Sequence, residues 1–142
     1  MVLSPRLRAF AQDARVGHLA TVDERGRPHV VPVCFAVQGD IAYIALDAKP
    51  KRVPVRELRR IHNLLANPEV QLLIDRWDED WSRLAYLQLR GRATVIDAGD
   101  EQAAAVRLLR DKYPQYRDMA IDAAPVIRIE VRRYVAWPRE QS

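Results

Sequence analysis

The sequence predicts a mainly β fold with short helices, in which six antiparallel strands form a barrel. Six short segments rich in β-branched and other apolar residues follow one another along the chain, with few helical patterns between them. Turn residues such as Gly26 and Gly39 separate them. At 142 residues, 49% hydrophobic and 30% charged, the chain is expected to form one domain, residues 1–142. The composition excludes disordered, collagen-like and disulfide-stapled proteins.

The first helix is predicted from Ser4-Pro5, with Ser4 as the N-cap and Pro5 in the first turn, to about Ala14. Three strands are then predicted, at 16–23, 28–37 and 41–46. The segment 28–37 is almost entirely apolar, which predicts that both of its faces are covered. Pro32 cannot donate a ladder hydrogen bond, so it indicates a sheet edge, a bulge or a special backbone contact.

A second helix is predicted over 55–66, with Leu58, Ile61 and Leu65 on its buried face. Four polar residues are expected to lie away from that face: Arg56, Arg59, Arg60 and Asn63. The Asn67-Pro68 pair ends the helix. Strands are predicted at 69–77, 81–97 and 126–137.

The strand over 81–97 is expected to bend at Gly91. Alternation along it separates an apolar face from a polar face. The apolar face carries Ala85, Leu87, Leu89 and Ala93, and the polar face carries Tyr86, Gln88, Arg90 and Arg92. A polar face on so long a strand must meet water, a partner subunit or a ligand, and we expect a homodimer interface there. A third helix is predicted over 100–111, with Ala104, Leu108 and Leu109 inward.

Positive charge is concentrated in one segment. The chain carries 23 Lys and Arg against 19 Asp and Glu, a formal charge of +4. Residues 49–60, KPKRVPVRELRR, contain six basic residues and a single acid, so the rest of the chain is close to neutral. Nucleic-acid-binding proteins spread basic charge along a face. A concentrated cluster favours one compact anion, such as a phosphate bound by side chains beside a helix start. We therefore expect no nucleic-acid partner.

Other features exclude several chemistries. The sequence has no catalytic triad, P-loop, dinucleotide glycine fingerprint or zinc-ligand spacing, so no catalytic residue or metal site is assigned. The three histidines, His18, His29 and His62, are interpreted as structural or surface residues, and Cys34 as an inert buried thiol. There is no secretory signal and no apolar run of about twenty residues, so a cytoplasmic protein without a membrane span is expected.

The residues resemble a known family. The stretches VGHLATVDERGRPHVVPVCF, LRRIHNLLANPEVQLLID and LRGRATV look like the pyridoxamine-phosphate-oxidase-like split-barrel proteins of the FMN-binding type. The segments AKPKR, DEDWSRL and DKYPQY look most like the subgroup that uses the deazaflavin coenzyme F420. The resemblance covers about residues 14–137. It departs from the family's usual residues at His62, Ala85-Tyr86 and Tyr134.

This resemblance implies a six-stranded split barrel that works as a homodimer, with the cofactor in a groove between subunits. The residues matching the phosphate side are Lys49, Lys51, Arg52, Arg59, Arg60 and Asn63. The backbone of Val31, Pro32 and Val33 matches the strand under the ring. Tyr86 matches a position that reaches the cofactor from the second subunit, and Gln88 lies beside it on the same face.

The function implied is hydride transfer from reduced coenzyme F420 to a conjugated small-molecule acceptor. The cofactor supplies the chemistry in such enzymes, and the protein supplies binding and orientation. Two alternatives remain open: an FMN-dependent oxidase or reductase of the same fold, and a non-catalytic protein that binds flavin or haem.

Overall fold

The computed structural model describes residues 3–46 and 59–140, the second range without the side chains of Arg59 and Arg60. It contains three α-helices: α1 (Pro5–Asp13), α2 (Arg59–Ala66) and α3 (Asp100–Lys112). The first four strands are β1 (Gly17–Val22), β2 (Pro28–Val33), β3 (Ala36–Gln38) and β4 (Ile41–Ala45). The last three are β5 (Glu69–Arg76), β6 (Ala85–Ile96) and β7 (Val126–Trp137).

The strands form one antiparallel sheet in the order β2-β1-β5-β6-β7-β4-β3. Its two edges, β2 and β3, pack into the same core through Val33 and Val37, so the sheet curls around its inner face. This core holds Leu19, Leu72, Leu89 and Ile129, and α1 closes it with Leu7 and Ala11. The mainly β prediction and the antiparallel arrangement are therefore confirmed.

The predicted number of strands was wrong: residues 3–46 and 59–140 contain seven, because the predicted strand 28–37 is two strands. The chain leaves the β2 edge at Cys34 and Phe35 and joins the opposite edge as β3. Phe35 is fully buried there, and its backbone N–H donates to the Tyr113 hydroxyl at 3.2 Å rather than to a neighbouring strand. Cys34 is a free thiol that is half-buried rather than buried.

The prediction that both faces of 28–37 are covered is also wrong for β2. Val30 is 59% exposed, and Pro32 is exposed as well. The edge interpretation of Pro32 is confirmed, since β2 pairs only with β1 within the described ranges.

The starts of α1 and α3 and the strand bend were predicted well, whereas the predicted start of the second helix at Val55 lies outside the described residues. Ser4 caps α1, and its hydroxyl accepts from the Leu7 N–H at 3.2 Å. The register of β6 with β7 shifts between Arg90 and Gly91, as the predicted bend requires. A Cβ at Gly91 would lie 2.1 Å from the Glu130 carbonyl oxygen, so glycine is needed at that position.

Three helical details differ from the prediction. In α2, Ile61 and Leu64 are buried, whereas Leu65 is 76% exposed. In α3 the buried residues are Gln102, Ala105, Val106 and Leu109, so Leu109 is buried as predicted, whereas Ala104 and Leu108 are half-buried. Residues Trp81–Arg83 form a 3-10 turn before β6, because the Asp80 carboxylate accepts from the Ser82 N–H and starts the turn.

A second, unpredicted 3-10 turn spans Pro114–Asp118 and packs beside α3. Within the described ranges, none of the helices is both long enough and apolar enough to cross a membrane.

Candidate functional site

The outer face of the sheet is covered in one half and open in the other. Helix α3 and the turn after it pack on β3, β4 and the start of β7, where Ala36, Tyr43, Ala45 and Val126 point outward. We call this half the covered face. The other half, formed by outward residues of β2, β1, β5, β6 and the end of β7, is the open face. It comprises Val30, Pro32, His18, Ala20, Gln71, Leu73, Gln88, Arg90, Arg133 and Val135.

Strand register aligns the open face in rows. Pro32 pairs with His18, His18 with Leu73, Leu73 with Gln88, and Gln88 with Val135. Directly paired residues point to the same side of a sheet, so these five side chains form one row across five strands. The row therefore brings together Pro32 and Gln88, which the sequence predicted as site residues although 56 positions separate them.

The edge of the open face is the free side of β2. Pro28 and Pro32 are four residues apart in β2, so their backbones face in the same direction. Neither residue has an N–H. Proline is tolerated in a strand where the missing N–H would face away from the neighbouring strand. Such an edge resists pairing with another strand but offers backbone carbonyls to a ligand.

A titratable side chain lies in the middle of the row. His18 Nδ1 is 3.9 Å from Asp75 Oδ1, an ion pair when the histidine is protonated. From the sequence, His18 was interpreted as a structural or surface residue. Alternation along VGHLATV already placed His18 opposite the buried Leu19, but only the pairing with Pro32 and Leu73 shows that it lies on the open face.

The next row carries uncompensated positive charge. Arg90 pairs directly with Arg133, and both are exposed. Like charges directly opposite each other destabilise a sheet. Arg90 donates to the Gln88 side-chain oxygen at 3.2 Å, whereas the nearby Arg92 has a carboxylate partner, Glu69, at 3.7 Å. The pair is therefore suited to receive an anionic group.

At the start of β6 the open face becomes aromatic. Tyr86 pairs with Trp137, and their rings stack with centroids 6.4 Å apart and planes 10° from parallel. Tyr86 is half-buried and Trp137 is 44% exposed. The predicted polar face of β6 thus runs from an aromatic pair at Tyr86, through Gln88, to the arginines.

Other predicted site residues lie elsewhere. The side chains of Val31 and Val33 point to the inner core, and their backbone groups face β1, since backbone direction alternates along a strand and Pro32 faces the free edge. Lys49, Lys51 and Arg52 are outside the described residues, as are the side chains of Arg59 and Arg60.

The expected orientation of Asn63 was wrong. It is fully buried on the inner side, where its amide donates to Thr21 Oγ1 at 3.0 Å, because α2 packs on β1. Its Oδ1 has no hydrogen-bond partner among the residues that the structure describes. The structure therefore does not bring Asn63 onto the open face with Pro32, Gln88 and Tyr86. A role of Asn63 in cofactor binding stays a prediction.

The covered face, in contrast, has matched polar groups. Glu101 accepts from the Tyr43 hydroxyl and from Arg128 Nε, each at 2.7 Å. Burial and the hydrogen bond to Glu101 raise the pKa of Tyr43 to about 12. The hydrogen bonds that Tyr43 and Arg128 donate lower the pKa of Glu101. These groups are stable in one protonation state near neutral pH, which is typical of a structural contact.

Lys112 of α3 contacts both α1 and Phe35 near the β2–β3 crossing. Lys112 Nζ donates to the Ala11 carbonyl at 3.3 Å and lies 3.8 Å from the centre of the Phe35 ring. Burial, followed by the nearby positive charge of Arg15, lowers the pKa of Lys112 to about 8. In the described part of the chain, no cluster of three His, Cys, Asp or Glu side chains is placed to hold a metal ion.

Comparison with known structures supports the fold. A conserved hypothetical protein of Mycobacterium tuberculosis matches with a TM-score of 0.76 at 21% identity, covering 96% of this chain and 86% of that chain. The haem storage protein HutZ of Vibrio cholerae matches with a TM-score of 0.70 at 17% identity, covering 96% and 94%. A structure described as an F420 reductase matches with a TM-score of 0.64 at 22% identity, covering 90% and 94%.

At these identities the likenesses show a shared fold and nothing further. No curated protein matches the chain. Residues 3–137 match the family described as pyridoxamine 5'-phosphate oxidase, which accounts for the curled antiparallel sheet with one open face. The chain therefore belongs to the pyridoxamine 5'-phosphate oxidase family of split-barrel proteins.

Proposed function

We propose that this protein is an oxidoreductase that uses coenzyme F420 and reduces a conjugated small-molecule acceptor. The observation that carries the proposal is the concentration of the chain's positive charge in residues 49–60. The deazaflavin coenzyme ends in a phosphate and several carboxylates, so it is the kind of compact polyanion that this segment suits.

The open face fits a planar ring system. In its central row His18, Leu73 and Gln88 are half-buried between the exposed ends of the row, and His18 is the one titratable side chain in that row. Helix α2, which contains the last residues of the basic segment, is fixed to β1 by the hydrogen bond from Asn63 to Thr21. Thr21 pairs with His29 of β2, so α2 lies at one end of the β1–β2 pair. In this proposal the acidic tail of a ring on the open face passes around this end of the β1–β2 pair to reach the basic segment.

Each part of the face has a role in this proposal. Two groups form hydrogen bonds with the polar edge of the ring: the free backbone of β2 around Pro32 and the side-chain amide of Gln88. Tyr86 packs against it, and Arg90 with Arg133 attracts its carboxylates. Lys49, Lys51, Arg52, Arg59 and Arg60 hold the phosphate. When bound, the reduced coenzyme supplies the hydride, and the chain's own residues orient it and exclude water.

A second copy of the chain completes the groove in this proposal. Val30 and Val135 are large apolar side chains left exposed on the open face. Burying such residues against an identical face stabilises a homodimer by removing apolar surface from water. The polar residues of β6, including Arg92, would then line the interface.

The test is titration of the purified protein with coenzyme F420 and with FMN, followed by fluorescence. Lys51→Ala and Arg60→Ala should each weaken coenzyme F420 binding about tenfold or more, the effect of one charge-assisted hydrogen bond. Arg107→Ala, on the exposed side of α3, is the matched control and should leave binding unchanged. Tight FMN binding without coenzyme F420 binding would favour the FMN-dependent alternative.

A non-catalytic haem-binding protein is the second candidate. The half-exposed imidazole of His18 on the open face favours it, because a neutral histidine can ligate haem iron. Haem titration should then produce a Soret band that His18→Ala shifts or abolishes. Absence of a His18-dependent band would contradict this candidate.

A further inference from the structure

A cleft lies beside the open face, between α1 and the adjoining ends of β5, β6 and β7. Its volume is about 640 Å³, within the range of small-molecule sites. Leu7 and Phe10 of α1 form one wall, and Ala85, Tyr86 and Trp137 form the opposite wall. An adjoining depression of about 400 Å³ extends past Tyr86 and Trp137 to Trp77.

The walls of the cleft are suited to a flat ring. The stacked Tyr86–Trp137 pair offers aromatic surface on one side, and Trp137 is nearly half exposed. Phe10 lies across the cleft, with the Arg76 guanidinium 5.8 Å from its ring centre. Aromatic rings prefer parallel offset or edge-to-face neighbours, and this arrangement offers both a ring face and a cation–π contact.

The charges that line the cleft are balanced. Arg6 and Arg76 are matched by Asp13 and Asp75. Arg6 lies 3.4 Å from Glu140, and Arg76 donates to the Arg83 carbonyl at 2.7 Å, so both cations already have partners. Asp75 is shared with His18 of the open face. A charged ligand would gain little here, in contrast to the Arg90–Arg133 pair.

We propose that this cleft binds an uncharged, planar aromatic molecule. We assign this molecule as the electron acceptor, an assignment that rests on the proposed function. Tyr86 and Asp75 connect the cleft to the face on which the coenzyme is proposed to lie. The cleft would thereby separate two kinds of ligand: the polyanionic coenzyme at the arginines and an uncharged acceptor at the aromatic pair.

The probes are three naphthalenes of one shape: uncharged 2-naphthamide, anionic 2-naphthoate and cationic 2-naphthylmethylammonium. Affinities are measured by ligand-observed NMR titration on the full chain without cofactor. We expect 2-naphthamide to bind most tightly. Trp137→Leu should weaken its binding about fivefold to tenfold, the effect of one aromatic contact, and Phe10→Leu should act in the same direction.

Trp81→Leu is the control, because Trp81 is a tryptophan that is still more exposed than Trp137, at 69% against 44%, but does not line the cleft. Circular dichroism identifies variants that fail to fold, and Phe10→Leu then stands in for Trp137→Leu. Unchanged 2-naphthamide affinity in folded Trp137→Leu and Phe10→Leu would overturn the site. Tighter binding of either charged probe would overturn the ligand class.

The acceptor role has its own readout. With coenzyme F420 at saturation, 2-naphthamide should bind within about threefold of its affinity for the free protein, since an acceptor must bind alongside the coenzyme. Mutually exclusive binding would overturn that role. Failure of coenzyme F420 to bind at all would contradict the proposed function, whereas the naphthalene series tests the cleft independently.

Discussion

The two halves of the outer face belong to one sheet but differ in what lies over them. On the covered face, α3 buries small and apolar residues such as Ala36 and Val126, and each buried polar group of the Glu101 cluster has a partner. On the open face, Val30 is exposed, and Arg90 and Arg133 stand opposite each other with no carboxylate partner among the described residues. The covered face stabilises the fold, and the open face retains unpaired groups that a ligand or partner can use.

The largest effect that we expect is a loss of stability on the covered face. Leu109 of α3 is fully buried, so Leu109→Ala should lower the free energy of unfolding by about 2–5 kcal/mol. Arg107→Ala on the same helix should change it by about 0.5 kcal/mol or less, because that side chain is exposed. Denaturant unfolding measures both. A small loss for Leu109→Ala would mean that α3 does not cover the sheet as described.

The second prediction concerns assembly through the open face. Val30→Asp places a carboxylate on the exposed β2 edge and should raise the dimer dissociation constant about tenfold or more, by burying a charge in the interface. Gln38→Asp on the opposite edge, in β3, is the control and should have no effect. Sedimentation velocity of both variants at micromolar concentration provides the comparison. A wild-type protein that stays monomeric there would contradict the proposed dimer.

A smaller effect should appear as a pH dependence at Lys112, where α1, α3 and Phe35 meet. Its folded pKa of about 8 lies below the unfolded value of 10.5. Between these values the unfolded chain binds a proton that the folded chain does not, so this group makes the protein more stable as pH rises. Below about pH 8 the burial penalty of the charge is fully present.

Lys112→Met should remove that contribution. The variant should gain stability relative to wild type at pH 7, and the difference should shrink as pH rises toward 10, measured by denaturant unfolding at several pH values. Half exposure of the lysine keeps the effect modest. A difference that does not change with pH would contradict the lowered pKa.

The sequence predicted best what depends on local pattern. Alternation along β6 separated Leu87 and Leu89 from Tyr86 and Gln88, because a strand turns its side chains to opposite sides whatever it packs against. Ser4 as a helix cap is likewise a local signal. Leu64 and Leu65 both fit a helical spacing from Ile61, and only the packing of α2 on β1 decides between them.

The candidate site depends on long-range pairing. Pro32, His18, Leu73 and Gln88 become neighbours through the register of four strands, which no local pattern contains. The continuous apolar run at 28–37 hid the crossing at Phe35 for a similar reason. A change from one sheet edge to the other is determined by the closure of the core and by the Tyr113 hydroxyl, 78 residues away.

The most direct test of the central claim, that the open face binds the coenzyme and the covered face does not, uses two carboxylates on one strand. Gln88→Glu and Thr94→Glu both place a negative charge on the outer side of β6: Gln88 lies in the central row of the open face, whereas Thr94 pairs with Arg128 beside Tyr43 of the covered face. In a titration with coenzyme F420, Gln88→Glu should bind at least about tenfold more weakly than wild type, because it loses the amide donor and repels the anion. Thr94→Glu should bind with unchanged affinity. Equal affinities for the two variants would contradict the account.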